Sequence, residues 1–383
     1  MNKFLINARY FLAPLLIFAS LFGVIAGGPW VWTGVFLLGV GIIVDTTSPA
    51  QTMGAGFDEN GDTNGHATLL NITMYAMLFV FIMLQAAIAW RIFQYVNGVE
   101  YTGATSTFLG MAYYTGITGA QLLGAVVSTG IFAGIGIIYG HELAHTKGFS
   151  FVIARWMMAL SGSAHFCYAH VYNHHLELGC ENDPATAPRG RSLYAHLPKS
   201  YFGQSKFLYI MEKQRLKRLG VPFLSWQNRW IRGYAMALPT IALFWYVGAW
   251  TGIACMALIW LVSNFELEAL NYMEHYGLIR ETGSPIDYRH SWDNSTMFTS
   301  WFFIEIGRQG DHHDRGETHF WELDEVGSPN CGNGYFTLFA IALLPPLFHA
   351  YMNKQLSKWD NEQASEGELK IAGEMNKIAG YTG

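Results

Sequence analysis

The feature that most constrains the fold of this chain is a series of long apolar segments. Six of them run over about residues 10–26, 30–44, 69–90, 119–139, 234–250 and 252–271. A helix needs about 20 apolar residues to cross the hydrocarbon core of a bilayer. Only 13% of the 383 residues are charged, against about 25% in soluble domains. The sequence therefore predicts an all-α integral membrane protein with about six transmembrane helices.

The basic residues predict how these helices are oriented. Lys3 and Arg9 precede the first segment, and all the other Lys and Arg residues except Arg91 follow an even number of predicted spans. Loops that are rich in Lys and Arg stay in the cytoplasm. We therefore predict that both termini are cytoplasmic, and that the first two and the last two spans form hairpins that turn at 27–29 and at 251–252.

Histidines are concentrated in four short boxes, which contain eight of the 14 in the chain. The boxes hold His141 and His145; His170, His174 and His175; His275; and His312 and His313. Histidines four residues apart lie on one face of a helix, with Cβ atoms about 6 Å apart, which suits two ligands of one metal ion. An adjacent histidine is turned by about 100°, so His170 can share a metal with either His174 or His175, and the remaining histidine can reach a second metal. One tetrahedral zinc takes at most four ligands, so eight imidazoles indicate two metal ions.

The remaining histidines stand singly and are interpreted as structural: His66, His165, His196, His290, His319 and His349. Four carboxylates beside the boxes are candidates to accept the second N–H of a ligand imidazole: Glu142, Asp183, Glu274 and Asp311. For each of these carboxylates, the alternative is a solvated or helix-capping role.

A site of imidazoles at the inner ends of apolar helices would face an apolar cavity. Imidazole favours Zn, Cu, Fe or Ni, and iron with open positions can activate O₂, whereas zinc is redox-inert. This combination suits oxidation of an unactivated C–H bond in a lipid-soluble substrate.

Other cofactors and partners lack a sequence signal. The four cysteines form no Cys-x-x-Cys pair, and no Gly-x-Gly-x-x-Gly motif lies in a βαβ unit, so we expect no flavin, heme, nucleotide or iron–sulfur site of the chain's own. The net charge of -5 argues neither for nor against a nucleic-acid partner, and no basic arm or aromatic-basic repeat suggests one, so we expect none.

The box sequences resemble those of the membrane alkane monooxygenases and their xylene monooxygenase relatives. The resemblance lies in His141-Glu-Leu-Ala-His145, His170-x-x-x-His174-His175, Asn271-Tyr-Met-Glu-His275-Tyr-Gly and Asp311-His312-His313, and it covers nearly the whole chain. It implies a six-helix fold, a histidine-ligated diiron centre, O₂ as co-substrate, and hydroxylation of a terminal or benzylic methyl group. It also implies a bacterial cytoplasmic membrane, and electrons from a rubredoxin or from a flavin and iron–sulfur reductase.

One position departs from the pattern of that family. Gln309 stands where these proteins usually have histidine, as in some of the related membrane desaturases. An amide can still offer its carbonyl oxygen to a metal. Gln309 is therefore a candidate metal ligand, or a residue that hydrogen-bonds to one.

Three other functions remain open from the sequence. A membrane lipid desaturase would use the same diiron chemistry. A membrane zinc metalloprotease would use the His141-Glu142-x-x-His145 motif, but it needs only about three protein ligands. A metal-binding or transport protein would need polar residues along several spans. We expect one membrane-embedded catalytic domain over 1–353 and a soluble polar tail over 354–383, with the apolar run 335–351 dipping into the membrane or packed as a hairpin because of Pro345 and Pro346.

Overall fold

The computed structural model describes residues 3–51, 56–57, 61–108 and 110–381, most of which are helical. The first helices are α1 (Lys3–Ala8), α2 (Leu12–Ala26), α3 (Thr33–Thr46) and α4 (Ala67–Val96). A 3₁₀ turn joins α1 to α2, so that Ile6–Ala26 is long and apolar enough to cross a membrane, as are Gly28–Thr46 and α4. These helices lie on the first three predicted apolar segments.

Two short strands, β1 (Thr105–Phe108) and β2 (Met111–Tyr114), pair in antiparallel fashion with Thr105 opposite Tyr114. They lie beside the end of α4, where the buried Arg91 donates to the carbonyl oxygens of Tyr114 (3.0 Å), Val24 (2.9 Å) and Ile25 (2.6 Å). Arg91, the one basic residue that does not follow an even number of predicted spans, is thus held by backbone carbonyl oxygens and by the side chain of Gln94.

Helix α5 (Gly119–Ala144) lies at the centre of the bundle and is buried over most of its length. Thr118 begins it with a capping box, in which Thr118 and Gln121 each accept the other's backbone N–H. Gly130 lies against Val262 and Gly136 against Phe81, so that a Cβ atom at either position would collide with the neighbouring helix. The helix continues about one turn past the predicted end at residue 139.

After α5 the chain forms a cap over one end of the bundle. The cap begins with α6 (Phe149–Leu160), α7 (Phe166–Ala169), one π-helical turn (His170–His174), α8 (His175–Glu177) and α9 (Leu193–Arg218). Helix α6 runs back along α5, since the Ser161 hydroxyl at its end donates to the Ala133 carbonyl (3.0 Å). The polypeptide then returns through α7 toward the end of α5.

The last apolar stretch, Arg229–His275, is folded as a hairpin. It comprises α10 (Arg229–Ala235) and α11 (Leu238–His275), and α11 is interrupted at Ala249, whose φ of 44° is left-handed. A Cβ atom on Gly252 would overlap the carbonyl oxygen of Phe244, which is possible only where the chain doubles back. The hairpin predicted near 251–252 is therefore present, and its two arms, together with the four apolar helices before it, give the predicted set of about six spans.

The C-terminal part forms α12 (Met297–Phe302), α13 (Gln309–Asp314), α14 (Tyr335–Ala342), α15 (Pro345–Glu362) and α16 (Glu366–Ala379). The apolar run 335–351 is split between α14 and α15, because Pro345 and Pro346 can begin a helix but cannot continue one. Asp45 of α3 holds α14 by accepting hydrogen bonds from the backbone N–H and hydroxyl of Thr337 (2.9 Å each).

The predicted boundary at residue 354 falls inside α15, and the structure shows no break there. Trp359 and Ala372 are buried, and Asp360 pairs with the buried Arg189 of the cap (2.6 Å). The polar tail predicted over 354–383 packs on the cap, because its polar surface also carries an apolar stripe. Its last two residues, 382 and 383, lie outside the described part.

Candidate metal centre

The four histidine boxes meet at the cap end of the bundle. His141 lies in the last turn of α5, and His145 caps that helix. His275 is the last residue of α11. His312 and His313 lie on the short helix α13. The eight predicted histidines therefore come from both long central helices and from the cap.

The π-helical turn His170–His174 separates the histidines of the second box. A π turn bonds residue i to residue i+5, so it places His175, not His174, next to His170. The Nε2 atoms of His170 and His175 are 3.0 Å apart, whereas the Nε2 atom of His174 lies 3.1 Å from that of His275. The sequence left open which of the two would pair with His170, and the π turn selects His175.

An unusual backbone conformation precedes the fourth box, His312 and His313. Ile304 and Glu305 both adopt left-handed φ values, 45° and 60°, which non-glycine residues rarely adopt. The buried Glu305 carboxylate is held there by Arg9 (3.0 Å) and Arg308 (3.1 Å). This anchor fixes the entry into α13 and hence the direction of His312 and His313.

The eight imidazoles form two adjacent groups in which the nitrogen atoms of each group lie within 4.8 Å of one another. The five-histidine group contains His141, His145, His170, His175 and His312. The three-histidine group contains His174, His275 and His313. The rings of His175 and His313 are 4.4 Å apart at their centroids, so the two groups adjoin.

The five-histidine group has the geometry of a coordination sphere. The Nε2 atom of His170 lies 2.7 Å from that of His141, 3.1 Å from that of His145 and 3.0 Å from that of His175. A neutral imidazole has one donor and one acceptor nitrogen, so hydrogen bonds can satisfy such nitrogens only in pairs. A metal ion between them would satisfy all of them at once.

Burial and protonation favour metal binding by these groups. Burial, reinforced by neighbouring imidazoles, lowers the pKa of His145, His170, His175 and His313 well below the usual value of 6.5, and that of His312 to about 4. The rings are therefore neutral at neutral pH, with lone pairs free to bind metal. Within the described residues, His312 Nε2 and both nitrogens of His313 are buried without a hydrogen-bond partner. The donor set fits the transition metals that favour imidazole, and not Mg²⁺ or Ca²⁺, which prefer oxygen.

Asp183 is the candidate carboxylate that lies beside a box histidine, His174. Its Oδ2 atom lies 2.8 Å from Nδ1 of His174 and also accepts from the Thr186 hydroxyl (2.6 Å), while Oδ1 accepts from the Ala185 N–H (3.0 Å). Burial alone would raise the pKa of Asp183, but its interaction with the His174 imidazole and its hydrogen bonds with Thr186 and Ala185 lower it. An ionised Asp183 fixes the tautomer of His174 with Nε2 facing the three-histidine group.

The other three candidate carboxylates lie beside other partners. Glu142 accepts the Phe320 N–H (3.2 Å) and lies 3.6 Å from His319. Asp311 pairs with Arg315 and accepts the Asp324 N–H (2.7 Å). Glu274 lies beside Gln309 and Tyr335. Each of these carboxylates is adjacent to a box histidine in sequence, but the contacts described here are with other residues.

Gln309 lies beside the histidine groups. Its Nε2 atom donates to the Ile306 carbonyl oxygen (2.8 Å). With His141, His170, His174 and Glu274, it lines a small chamber. The side chain therefore contacts the space beside both histidine groups.

A larger apolar cavity adjoins this chamber, and the two share Ile138 and Leu270 in their walls. It lies between α2, α3, α5 and α11, with Phe302 and Phe336 on the cap side. The predicted apolar cavity next to the histidines is thus present.

Two features of this region escaped sequence analysis. Phe166 stacks on His170, with ring centroids 5.0 Å apart and an interplanar angle of 19°, and an aromatic residue in an apolar stretch gives no signal of that role. Glu266 lines the apolar cavity. The sequence could have indicated a role for Glu266, because an acidic residue within a membrane span is by default a candidate functional residue.

Comparison with known proteins places these elements in a wider context. Residues 118–340 match the family model described as fatty acid desaturase. The match runs from the start of α5 into α14 and contains all four histidine boxes.

Characterised relatives match larger or smaller parts of the chain. The chain is 27% identical to the xylene/toluene monooxygenase hydroxylase component of Pseudomonas putida over 97% of its length and 95% of that protein. It is 27% identical to alkane 1-monooxygenase 2 of Alcanivorax borkumensis over 94% of its length and 90% of the relative. It is 31% identical to alkane 1-monooxygenase 1 of Pseudomonas aeruginosa over 61% of its length, an alignment that spans only 63% of that relative.

Proposed function

The chain belongs to the fatty acid desaturase family, and from this premise we propose that it is an integral-membrane hydroxylase of alkanes or alkyl aromatics. The reaction inserts one atom of O₂ into an unactivated methyl or other C–H bond. The second oxygen atom leaves as water, which requires two electrons and two protons. The observation that carries the proposal is the pair of histidine groups that adjoin an apolar cavity inside a membrane bundle.

We assign two iron ions to the two histidine groups, with His141, His145, His170, His175 and His312 as ligands of one and His174, His275 and His313 as ligands of the other. Iron bound at these nitrogens supplies O₂ activation, which redox-inert zinc does not. Asp183 orients His174, and Phe166 shields His170 from water. A zinc protease would leave most of the eight histidines without a role. It would also need Glu142 as a free base, whereas the Glu142 carboxylate accepts a hydrogen bond from the Phe320 N–H.

The apolar cavity supports a hydrophobic substrate that enters from the bilayer. Its walls are mostly aliphatic and aromatic, and the chamber beyond leads to His141 and His170. A reacting carbon in the chamber would leave the rest of a hydrocarbon in the cavity, away from water. The names of the relatives support alkanes and alkyl aromatics as the substrate class.

Electrons must come from a separate protein, since the sequence has no nucleotide or iron–sulfur motif of its own. We propose a rubredoxin or a flavin and iron–sulfur reductase that docks on the cap. Because almost all Lys and Arg residues precede or follow an even number of spans, we assign the cap and both termini to the cytoplasmic side of a bacterial inner membrane.

Isotopic oxygen tests the reaction type. Purified protein in detergent is mixed with an alkyl substrate, NADH and a rubredoxin system or a flavin and iron–sulfur reductase, under ¹⁸O₂. We expect an alcohol that carries ¹⁸O, because a hydroxylase transfers an atom of O₂ to carbon. Mass spectrometry of the product measures the label.

The same mixture without the redox protein serves as the control and should give no product. An unlabelled alkene would instead identify the chain as a desaturase, the activity for which its family model is named. Turnover with NADH alone would contradict the proposed need for a partner.

Gln309 provides a test of metal binding at the smaller group. This side chain borders the chamber next to His174, and an imidazole is a better ligand for iron than an amide oxygen. We expect Gln309→His to slow the loss of iron to a chelator, and Gln309→Ala to speed it or leave it unchanged. Iron is measured by elemental analysis at intervals after the chelator is added.

The matched control is Gln227→His, which adds a histidine at an exposed position of the cap. It should leave iron retention unaltered. If Gln309→His also has no effect, then Gln309 is too far from either iron to serve as a ligand.

A further inference from the structure

Glu266 is an acidic side chain in the wall of the apolar cavity. It lies on α11 within the membrane bundle, and the cavity it lines is otherwise formed almost entirely by aliphatic and aromatic side chains. Its Oε2 atom is buried and has no hydrogen-bond partner among the described residues. An unsatisfied carboxyl in such a place is costly to the fold, so its presence calls for a ligand.

The chain makes room for this carboxyl. Gly134 on the facing helix α5 also lines the cavity, and a Cβ atom on Gly134 would collide with Glu266 Oε2. Glu268, two residues along the same helix, differs in this respect. Its two oxygen atoms accept hydrogen bonds from Gln204 (3.0 Å) and Asn271 (3.2 Å). Both carboxyl oxygens of Glu268 are therefore hydrogen-bonded, and this residue has a structural role. The Oε2 atom of Glu266 is still able to form a hydrogen bond.

Of the α11 residues in the cavity wall, Glu266 is the one farthest along the helix from His275. Nine residues of α11 separate it from His275, and seven residues of α5 separate Gly134 from His141. At 1.5 Å per residue these intervals are about 14 Å and about 10 Å. A substrate whose reacting carbon lies in the chamber would extend along this distance.

We propose that Glu266 is a specificity residue that hydrogen-bonds a neutral oxygen substituent at the far end of the substrate. This inference rests on the proposed hydroxylase function and narrows its substrate class. A carboxyl without a cationic partner in an apolar cavity carries its proton, and a neutral carboxyl group can donate and accept a hydrogen bond. The substrate would be an alkyl chain or alkyl aromatic with a hydroxyl, ether or carbonyl group about 10–14 Å from the carbon that is oxidised.

A length series tests this geometry. The wild-type protein with its redox partner is given n-alkanes and the 1-alkanols of the same chain length, and kcat/KM is measured for oxidation of the remote methyl group. We expect a preference for the alkanol that peaks at the length at which the hydroxyl reaches Glu266. Glu266→Leu should lower that preference about tenfold at the peak, which corresponds to one neutral hydrogen bond, and Glu266→Gln should retain it.

Two further variants separate recognition from folding. Gly134→Ala keeps the carboxyl but pushes it aside, so it should weaken the preference without removing any polar group. Glu268→Gln changes the same residue type on the same helix outside the cavity and should leave the preference unchanged. A preference that is the same in wild type and Glu266→Leu, or absent at every length, would overturn the inference.

Thermal unfolding in detergent gives a readout that does not depend on turnover. The alkanol of the preferred length should raise the Tm of the wild-type protein more than the matching alkane does, and this difference should disappear in Glu266→Leu. If the wild type oxidises neither compound but shows this difference in Tm, the proposed function fails while the role of Glu266 stands. If alkanes are oxidised but alkanols bind no better, the role of Glu266 fails while the proposed function stands.

Discussion

Alanine in place of His275 should abolish product formation and lower the bound iron from about two ions to about one per chain. His275 is one of only three imidazoles in its group, and its Nε2 atom lies 3.1 Å from that of His174. Two remaining imidazoles form a poor site for iron. Elemental analysis of protein purified after native expression measures the iron, and product analysis measures turnover.

His175→Ala should abolish turnover as well, but it should retain more iron. It removes one of five nitrogens that lie within 4.8 Å of one another, so four imidazoles remain to hold the metal. Substitution of any of the other six box histidines should likewise stop turnover, with iron loss that follows the group to which it belongs.

Histidines outside the boxes serve as controls. His66 accepts the Leu69 N–H at the start of α4 (3.3 Å), and His349 lies beside the Arg191 carbonyl (3.3 Å) and the Tyr272 hydroxyl (3.5 Å). His66→Ala and His349→Ala should keep both iron ions and most of the activity. Full activity in several of the box variants would show that the assigned ligands are wrong.

The membrane helices and the histidine boxes could be predicted because their signals are local. An apolar stretch of about 20 residues is enough to predict a helix that crosses the bilayer. The helical repeat is enough to predict that His141 and His145 lie on one face of their helix. The hairpin at Ala249 was also visible, since a glycine interrupts two apolar runs near that point.

The division of the histidines into two groups was beyond the reach of the sequence. It depends on the π turn at His170–His174, which an α-helical repeat does not predict. It also depends on the left-handed backbone at Ile304 and Glu305, which is held by Arg9 from the other end of the chain. Such long-range contacts decide where adjacent histidines point.

The supporting carboxylates illustrate the same limit. Glu142 and Asp311 are each adjacent to a box histidine in sequence. Yet Glu142 accepts a hydrogen bond from the Phe320 N–H, and Asp311 forms an ion pair with Arg315. Asp183 is nine residues from His174 and reaches it because the chain turns at Gly179, whose φ is 75°. Spacing places these carboxylates near the histidines in sequence, but their contacts depend on how the chain folds.

Asp183→Ala should weaken metal binding at the three-histidine group by about 10- to 100-fold, the range for loss of a residue that orients a metal ligand. The hydrogen bond from His174 Nδ1 to Asp183 (2.8 Å) fixes the ring with Nε2 toward His275. Without it, the imidazole can rotate or take the wrong tautomer. Titration with a competing chelator measures the affinity, and turnover should fall with the occupancy of that site.

Glu368→Ala is the matched control for this prediction, because Glu368 forms the same kind of buried hydrogen bond with His290 (2.9 Å) on the C-terminal side of the cap. Glu368 also accepts a hydrogen bond from Arg289 (3.2 Å), so its loss should lower the thermal stability of the cap while both iron ions are retained. Asp183→Ala should show the reverse pattern, with iron lost from one group and the fold intact. Equal iron affinity in the two variants would mean that Asp183 stabilises the cap rather than the metal site.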